Sequence, residues 1–583
     1  MAVSLSVEDL FDSHVVPQDH AKSDYFGLIK KLVGLRNNYS KDSEEFLKLQ
    51  TRIDQVYESV LDELINNQGR PVSRVKFGTS GWRGILGKDL FLKSVRLVTM
   101  AIIEMYRELS GLEINTDFVN ALGVGSYQEA QKRGCVVGFD NRFGGEIMAR
   151  GVVDVLTANG FSVHYAGEAT TGTLSATLIQ VGAAFSINLT PSHNPLEYGG
   201  VKYNAADGGP AASILTDKIT QEAEQLINSD ELSSSLAAAN PDPALVHPVD
   251  ALECWIGFVK KNSHLHGLHY DEIMEVLAKT DDLVVAVDCV HGASRLHMKK
   301  IFEKANIDRF ILLRGDADPT FGGIAPEPSS ANIKPVAATL SNRPEFFKLG
   351  AIIDPDGDRV RFTDGKNEIS MNQFGAMAYH YLHEIKKKKG MVAKTVATSN
   401  FVNSIASALE EEVFESRVGF KEFKPVLGSA LVCFEESDGI TVIGHTAEKD
   451  AYIGLILALE MVLTLRKNLG DYLRDLEDSY GHYFPAASSV AVSQHGEMLM
   501  NTLAALEKYT IGTMVEVGEE ERRIKNIIAI DGRKMILEDD SWIMIRPSGT
   551  EPKVRFYVEA RSEKDKTSLF ETARGMLAEI GLL

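Results

Sequence analysis

Strand and helix patterns alternate along the chain after Pro71, and this alternation restricts the possible folds more than any other feature. The β-branched run Cys135–Phe139 precedes an amphipathic stretch over residues 146–159, and Phe161–Tyr165 follows it. The same order returns around Leu283–Asp288. A strand–helix–strand order predicts sheets with parallel strands that are covered by helices. We therefore expect an α/β protein.

Four domains are expected. A chain of 583 residues has room for about four domains of ~150 residues. Polar segments rich in turn residues mark the expected joints near 229–242, 364–372 and 479–485. After the last joint, an Asp531-Gly532 turn separates two strand-like runs, which is typical of an α+β unit. The predicted domains are residues 1–232, with the helical extension, then 233–366, 367–484 and 485–583.

The first 70 residues carry a helical pattern. Apolar side chains recur every three or four positions and form one helix face: Phe46, Leu49, Ile53, Val56, Val60 and Leu64. Such a stripe fits either a dimer seam or packing on the first domain, and the second interpretation is favoured. We therefore expect an N-terminal helical extension, in a monomer or a homodimer.

Charge and cysteine content exclude several classes of protein. The chain has 61 Lys and Arg against 81 Asp and Glu, a net charge of −20, which disfavours nonspecific binding to nucleic acids or anionic membranes. The four cysteines show no CxxC spacing and indicate free thiols in a reducing compartment. The N-terminus has no secretory pattern, and the apolar stretch 451–465 is shorter than a membrane span. We therefore expect a cytoplasmic protein with no nucleic-acid or membrane partner.

The segment Thr190-Pro-Ser-His-Asn-Pro195 follows an apolar run that ends at Leu189. Its two prolines restrict the backbone on both sides of Ser192, and the end of a strand is where an open α/β sheet binds ligands. A serine hydroxyl is a weak nucleophile that needs a base or a metal to activate it. By itself, the segment fits either a reactive serine beside His193 or a rigid turn.

Three carboxylates lie within five residues in Asp354-Pro-Asp-Gly-Asp-Arg359, directly after another apolar strand. Alternating positions let all three converge on one hard cation, which relieves their mutual repulsion. An EF-hand would need Gly and Glu at its sixth and twelfth positions, where Arg359 and Gly365 stand. We therefore expect Asp354, Asp356 and Asp358 to form a divalent-cation site rather than a solvated turn.

Three further segments carry weaker signals. Phe434-Glu-Glu-Ser-Asp-Gly439 offers carboxylates and a hydroxyl, which suit vicinal sugar hydroxyls. Arg546-Pro-Ser-Gly-Thr-Glu-Pro552 combines a guanidinium, hydroxyls and a glycine, which suit a phosphate dianion. Lys76-Phe-Gly-Thr-Ser-Gly-Trp-Arg-Gly84 places an arginine between glycines on a loop. Each of these also fits an ordinary turn.

The order of the five segments is FGTSGWRG, TPSHNP, DPDGDR, EES with a later EKD, and RPSGTEP. In sequence and spacing they resemble the α-D-phosphohexomutase superfamily over residues 76–583. The segments Gly199-Gly-Val-Lys-Tyr-Asn204 and Asp207-Gly-Gly-Pro-Ala211 are most similar to its phosphoglucomutase branch. The resemblance implies four domains in a heart shape, three α/β domains with mixed sheets and a C-terminal α+β domain, with one loop from each lining a central cleft.

The resemblance also implies a role for each segment. Ser192 matches the serine that carries a phosphoryl group, and with Asp354, Asp356 and Asp358 it matches the ligands of one Mg²⁺ per chain. The further active-site residues that it implies are Arg83, His193 and Lys202. The substrate-binding residues that it implies are Arg359, Glu435, Ser437, Lys449, Arg546, Ser548, Gly549 and Thr550.

The implied reaction is the reversible interconversion of glucose 1-phosphate and glucose 6-phosphate. It passes through a phosphoserine enzyme and glucose 1,6-bisphosphate, which serves as intermediate and activator. Lys202 and His193 both fit the group that takes the sugar hydroxyl proton. Asp140 and Arg142 resemble a structural element of the family. Hexose phosphates are the only expected partners besides a second copy of the chain.

Three departures from the family pattern leave the hexose open: Phe434, Asp438 and Ala451 stand where Gly or another small residue is usual. Their positions predict that they surround the sugar, so a phosphomannomutase or a dual-specificity enzyme is an alternative. A serine-dependent phosphohydrolase and a catalytically silent sugar-phosphate-binding relative are alternatives from other classes. The intact serine and aspartates argue against a silent protein.

Overall fold

The computed structural model describes residues 6–17, 19–78, 81–111, 116–229, 240–305, 307–549 and 552–583. In these ranges, three N-terminal helices precede four β-sheets that follow one another in chain order. No helix in the described part of the chain is long and apolar enough to cross a membrane. The predicted fold class is confirmed: three α/β units with mixed sheets, an α+β unit and a helical N-terminus.

The N-terminal helices are α1 (Val7–His14), α2 (Tyr25–Arg36) and α3 (Glu44–Asn66). Ser43 caps α3, because its hydroxyl accepts a hydrogen bond from the N–H of Phe46. All of the predicted stripe except the half-buried Phe46 is buried, in one cluster with α2 and the first sheet. The stripe therefore packs on the first domain, as favoured, and does not form a dimer seam.

The first sheet has six strands in the order β1-β5-β4-β2-β3-β6. They are β1 (Trp82–Ile85), β2 (Cys135–Phe139), β3 (Val163–Glu168), β4 (Phe185–Leu189), β5 (Tyr198–Ala205) and β6 (Val246–Pro248). The helices are α4 (Leu92–Arg107), α5 (Thr116–Leu122), α6 (Tyr127–Arg133), α7 (Gly145–Ala158), α8 (Thr171–Val181) and α9 (Ser213–Asn228). β2 is parallel to β3 and β4, whereas β5 runs antiparallel to β4. Every residue of β4 is buried, as expected for a strand covered on both faces.

The second sheet has the order β11-β10-β9-β7-β8. Its strands are β7 (Leu283–Asp288), β8 (Phe310–Leu313), β9 (Phe347–Ile353), β10 (Val360–Thr363) and β11 (Glu368–Ile369). Its helices are α10 (Ala251–Lys261), α11 (Ser263–His266), α12 (Tyr270–Lys279), α13 (Ser294–Lys304) and α14 (Lys334–Ser341). β7 is parallel to β8 and β9, and β10 reverses direction after the loop that carries the aspartates.

The third sheet has the order β13-β12-β14-β15. Its strands are β12 (Val392–Thr395), β13 (Val413–Ser416), β14 (Val432–Glu435) and β15 (Gly439–Val442). Its helices are α15 (Met371–His380), α16 (Phe401–Ala408), α17 (Ala451–Leu465) and α18 (Leu469–Tyr480). Almost every residue of α17 is buried, so the most apolar stretch of the sequence is a core helix.

The fourth sheet is antiparallel and has the order β16-β21-β20-β19-β18-β17. Its strands are β16 (Phe484–Ala491), β17 (Met514–Val517), β18 (Glu520–Ile528), β19 (Arg533–Leu537), β20 (Trp542–Pro547) and β21 (Lys553–Ala560), with helices α19 (Gly496–Ala504) and α20 (Glu563–Glu579). The predicted Asp531-Gly532 turn joins β18 to β19. Gly532 has a φ of 80°, and a Cβ there would lie 2.4 Å from the carbonyl oxygen of Ile545, so glycine is required.

The four sheets fit a four-domain division, whose limits stay a proposal. β6 pairs in parallel with β3, so the first sheet extends beyond the predicted limit at residue 232. We therefore propose a first limit after Pro248 and keep the limits at 366 and 484.

Candidate active site

Ser192 lies in the loop after β4 and has a φ of 59°, a left-handed conformation that residues other than glycine rarely adopt. Thr190 holds this loop: its hydroxyl accepts a hydrogen bond from the N–H of Ser192 at 2.9 Å and donates one to Oδ2 of Asp140 at 2.6 Å. Gly200 of β5 lies against the loop, and a Cβ there would be 2.4 Å from the carbonyl oxygen of Thr190. The conformation of the serine is therefore imposed by its surroundings.

The side chain of Arg142 holds the same loop by binding the carbonyl oxygens of the loop. The buried guanidinium donates to the carbonyl oxygens of Ser192 at 2.6 Å and Pro195 at 2.7 Å, and also to that of Asn194. The N–H of Arg142 donates to Asp140 at 3.0 Å. Burial raises the pKa of Asp140 to about 7, against the effect of the nearby guanidinium. Asp140 and Arg142 thus form the support of the serine loop, which agrees with their interpretation as structural residues.

The loop after β9 brings Asp354, Asp356 and Asp358 together. One carboxylate oxygen of each lies within 4.8 Å of the other two, and all three residues are buried. The hydroxyl oxygen of Ser192 lies 3.2 Å from Oδ2 of Asp354. The structure therefore places the four predicted metal ligands side by side, at the contact between the first two sheets.

The aspartate cluster fits a divalent cation. Oδ1 of Asp356 and Oδ1 of Asp358 are buried and accept no hydrogen bond from the described residues, although buried polar atoms normally have partners. Burial, followed by the charges of the other two carboxylates, raises the pKa of Asp354 well above its ordinary value. Burial acts in the same direction on Asp358, but Lys202 and Lys449 hold its pKa well below the ordinary range. Buried carboxylate oxygens without donors, in a cluster of three aspartates, suit a hard ion such as Mg²⁺.

Lys202 of β5 lies against the same carboxylates. Its Nζ donates to Oδ2 of Asp356 at 2.5 Å and to Oδ2 of Asp358 at 2.8 Å. Burial alone would lower the pKa of Lys202, but the two carboxylates raise it above its ordinary value. Thr171 is the first residue of α8. Its hydroxyl donates to Oδ2 of Asp356 and its N–H donates to the main-chain carbonyl oxygen of Asp356, both at 2.7 Å. Sequence analysis missed Thr171, because nothing in its own segment distinguishes it from any other helix start.

His193 lies beside the serine, and the charge of Arg83 acts on its ring. Nδ1 of His193 is 3.4 Å from the hydroxyl oxygen of Ser192. Burial, and then the charges of Arg359 and Arg83, lower the pKa of His193 well below its ordinary value, so the ring is neutral at pH 7. Arg83 is half-buried in β1, while residues 79–80 of its segment lie outside the described residues.

The predicted sugar loop begins at the end of β14. Oε1 of the buried Glu435 accepts a hydrogen bond from the N–H of Gly419 at 3.0 Å. Burial raises the pKa of Glu435 to about 7, against the opposing charge of Lys449. Lys449 is buried as well, with Nζ 3.4 Å from Oδ2 of Asp358, and Ser437 is half-buried. The sugar loop therefore meets the aspartate cluster through Lys449.

Backbone contacts also join the aspartate loop to the sugar loop. Arg359 forms an antiparallel bridge with Gly439, and the N–H of Val360 donates to the carbonyl oxygen of Asp438 at 2.9 Å. The N–H of Ala451 donates to the carbonyl oxygen of Gly357 at 3.1 Å. The two loops thus form one continuous surface, with the predicted substrate-binding Arg359 at their junction.

At the three departures from the family pattern the side chains are buried within the protein, and their expected place around the sugar stays a prediction. Phe434 is fully buried against α15, where a Cβ on Gly375 would lie 2.2 Å from its ring. The carboxylate of Asp438 accepts hydrogen bonds from Arg361 at 2.8 and 3.1 Å. Ala451 is the fully buried first residue of α17. Their side chains stabilise the third unit and its contact with the second.

The predicted phosphate loop follows β20 and is connected to the sugar loop. Nε of Arg546 is 3.0 Å from Oδ2 of Asp531, which accepts a hydrogen bond from the N–H of Val418, also at 3.0 Å. Val418 precedes Gly419, the residue that donates to Glu435. Sequence analysis had identified Asp531 only as a turn residue.

The remaining residues of the phosphate loop are more exposed. The N–H of Ser548 donates to the carbonyl oxygen of Lys553 at 2.8 Å, which closes the loop. Gly549 is exposed, and a Cβ there would meet nothing within 4 Å. Thr550, which was also predicted to bind phosphate, lies outside the described residues.

Four family models match the chain in succession. They are described as phosphoglucomutase/phosphomannomutase alpha/beta/alpha domain I, domain II and domain III and C-terminal domain, and they match residues 107–230, 266–367, 370–480 and 507–575.

Individual relatives are distant but match most of the chain. Phosphoglucomutase-1 of Bos taurus is 24% identical over 500 residues, 78% of this chain and 87% of its own length. A phosphoglucosamine/phosphogalactosamine mutase of Sulfurisphaera tokodaii is 24% identical over 503 residues, 85% and 97% of the two chains.

Solved structures share the fold. Parafusin of Paramecium, an exocytosis-sensitive phosphoprotein and phosphoglucomutase, has a TM-score of 0.67 at 20% identity, covering 88% of this chain and 96% of its own. The N-acetylphosphoglucosamine mutase of Aspergillus fumigatus, in complex with GlcNAc-6P and magnesium, has a TM-score of 0.51 at 13% identity, covering 95% and 99%.

Proposed function

The chain belongs to the phosphoglucomutase/phosphomannomutase family, and from that premise we propose that it is a Mg²⁺-dependent phosphoglucomutase. In this proposal it interconverts glucose 1-phosphate and glucose 6-phosphate through phosphorylated Ser192 and glucose 1,6-bisphosphate. One observation carries the proposal: the hydroxyl of Ser192 lies 3.2 Å from Asp354, where three buried carboxylates converge.

The reaction needs two phosphoryl transfers. A free hydroxyl of the sugar monophosphate forms a new bond to phosphorus and loses its proton, while the bond between phosphorus and the Ser192 oxygen breaks and that oxygen takes up a proton. After the bisphosphate has turned over, its other phosphoryl group returns to Ser192. Because such transfers depend mainly on positioning and charge neutralisation, Arg83 and Lys202 are the residues that we expect to offset the negative charge.

Asp354, Asp356 and Asp358, with an oxygen of the phosphorylated Ser192, would hold the Mg²⁺. When bound, the ion neutralises charge on the transferred group. The magnesium in the structurally similar Aspergillus enzyme supports this assignment. Lys202 contributes by holding Asp356 and Asp358 in place through its two hydrogen bonds.

His193 is the group that we expect to exchange a proton with the Ser192 oxygen, which gains one when its bond to phosphorus breaks and loses one when Ser192 is phosphorylated again. Its Nδ1 lies 3.4 Å from that oxygen, whereas the attacking sugar hydroxyl arrives on the opposite side of the phosphorus. The Nζ of Lys202 is instead occupied by its hydrogen bonds to Asp356 and Asp358.

The substrate is held at two ends in this proposal. Glu435 accepts hydrogen bonds from sugar hydroxyls, and Ser437 exchanges them with the same groups. Lys449 and Arg359 lie between the sugar and the reacting phosphate. The distal phosphate is bound by four residues of the loop after β20: Arg546, Ser548, Gly549 and Thr550. Because that loop belongs to the fourth unit, we expect this unit to close over the bound substrate.

Glucose is the preferred hexose in this proposal, which the name of the bovine relative and the Gly199–Asn204 segment support. The test is a Mg²⁺-dependent mutase assay, primed with glucose 1,6-bisphosphate, on glucose, mannose and glucosamine 1-phosphates in parallel. Faster conversion of glucose 1-phosphate is expected. Faster conversion of another sugar would overturn the choice of hexose, and release of inorganic phosphate as the main product would indicate a phosphohydrolase.

A further inference from the structure

The N-terminal helices precede all four family matches, yet α2 contacts a loop close to the serine. This loop, residues 318–323, belongs to the second unit and lies between β8 and α14. Nδ2 of Asn37, which follows α2, donates to the carbonyl oxygen of Gly322 at 2.8 Å. Gly323 lies against α2, and a Cβ there would be 2.8 Å from Cγ1 of Val33. The extension therefore contacts a unit with which it is not contiguous.

The 318–323 loop has an unusual backbone. Phe321, Gly322 and Gly323 have φ values of 52°, 63° and 82°, so a phenylalanine adopts the left-handed conformation. Asp318 stabilises the turn by accepting hydrogen bonds from the N–H and the hydroxyl of Thr320, at 2.8 and 2.6 Å. The result is that the Phe321 side chain is directed into the first unit, where it is fully buried.

Phe321 covers the residue that supports the serine loop. The guanidinium carbon of Arg142 lies 4.5 Å from the centre of the Phe321 ring. The same guanidinium donates to the carbonyl oxygens of Ser192, Asn194 and Pro195. The face of an aromatic ring attracts a cation, and does so more strongly in a desolvated site, so the ring restricts where the guanidinium can lie.

Helix α3 packs on the turn that follows this arginine. The rings of Tyr57 and Phe143 are 4.3 Å apart, and Gly144 lies against Leu64, where a Cβ would be 2.6 Å from its Cδ1. The turn that follows Arg142 is therefore covered by the N-terminal extension as well.

We propose that the N-terminal extension positions the catalytic serine. In this proposal α2 and Asn37 hold the 318–323 loop in place, and Phe321 of that loop fixes the guanidinium of Arg142. Arg142 in turn fixes the backbone of Ser192. Phe321 and Asn37 are positioning residues, since neither touches the reacting atoms. The inference rests on the proposed function, because it concerns the rate at which Ser192 is phosphorylated.

The first experiment uses Phe321→Leu in the full chain. Leucine keeps an apolar side chain in the pocket but removes the aromatic face. Intact-mass measurements over time give the rate at which glucose 1,6-bisphosphate phosphorylates Ser192. We expect this rate to fall about fivefold, with kcat falling in parallel and KM unchanged. Phe346→Leu is the matched control, because Phe346 belongs to the same unit and is 70% exposed.

The second experiment avoids any change in the core. Asn37→Ala removes the hydrogen bond to Gly322, whereas Asn38→Ala removes contacts only within the end of α2, to Gly34 and Leu35. We expect Asn37→Ala to slow phosphorylation about threefold to fivefold and Asn38→Ala to leave it unchanged. The melting temperature of each variant separates a loss of positioning from a general loss of stability.

The outcomes distinguish the inference from the function on which it rests. If the unmodified protein takes up no phosphoryl group, the proposed function is wrong. If it does, and both Phe321→Leu and Asn37→Ala match their controls, the positioning role is wrong. A fall in kcat and in the phosphorylation rate at unchanged KM and melting temperature supports it.

Discussion

The hydroxyl oxygen of Ser192 lies 3.2 Å from Oδ2 of Asp354, although 162 positions separate the two residues in the chain. Ser192 follows β4 of the first sheet, and Asp354 follows β9 of the second. Thr171, from the first unit, binds Asp356 directly beside this contact. The proposed site therefore exists only where two units of the chain meet, and the following predictions test its parts.

Replacing Ser192 should separate chemistry from binding. Ser192→Ala removes the proposed nucleophile but leaves the proposed phosphate-binding loop of the fourth unit intact. We expect turnover to fall by about 10⁴-fold or more, with the affinity for glucose 1-phosphate changed less than about threefold. The mutase assay and calorimetry measure the two effects, and Ser479→Ala, at an exposed serine, is the control. Parallel loss of binding and activity would contradict this division.

Magnesium should stabilise the fold through the aspartate cluster. At a concentration about 100 times its Kd, a ligand adds about 2.7 kcal/mol to the free energy of unfolding, so the melting temperature should rise by several degrees. Asp354→Asn should abolish this rise together with activity, whereas Asp282→Asn, at a half-exposed surface position, should retain both. A rise that persists in Asp354→Asn would locate the ion elsewhere.

Glu435 should make the fold less stable at high pH. Burial raises its pKa from the ordinary 4.5 to about 7, so folding takes up a proton between these two values. The contribution of Glu435 to the free energy of unfolding is fully present below pH 4.5. It falls by about 3 kcal/mol as the pH rises to about 7. Glu435→Gln should therefore gain stability over the unmodified protein between pH 5 and pH 8 in urea titrations. The exposed Glu58→Gln should show no such trend.

Phe434 should affect stability and not the choice of sugar. Its ring is packed against Gly375 in the core of the third unit. We expect Phe434→Leu to lower the free energy of unfolding by about 1–2 kcal/mol, with the ratio of glucose to mannose activity changed less than about twofold. A large change in that ratio would show that the core side chain acts on the sugar loop after all.

Asp531 should contribute to substrate binding without touching the substrate. Its carboxylate lies 3.0 Å from Arg546 and accepts a hydrogen bond from the main chain of Val418. Asp531→Asn should weaken the hold on the guanidinium and raise the KM for glucose 1-phosphate about fivefold, with little change in kcat. The exposed Asp478→Asn is the control. An unchanged KM would leave Asp531 with a role only in the turn between β18 and β19.

The N-terminal stripe shows what the spacing of residues within one segment can and cannot predict. The spacing from Leu49 to Leu64 predicted a helix with one buried face, because side chains three or four residues apart share a face. What covers that face depends on another part of the chain. The sequence favoured packing on the first domain, but nothing in it indicated the contact of α2 with the 318–323 loop.

Sequence alone determined the α/β alternation, the Asp531-Gly532 turn of the α+β C-terminal unit and the clustering of Asp354, Asp356 and Asp358. These features depend on residues close together in the chain, whose side-chain directions follow from strand and helix periodicity. Only the tertiary structure decided that Thr171 binds Asp356, that α2 contacts the 318–323 loop, and that Phe321 covers Arg142. Those relationships depend on how whole units pack against one another, and the spacing of residues within one segment carries no record of that packing.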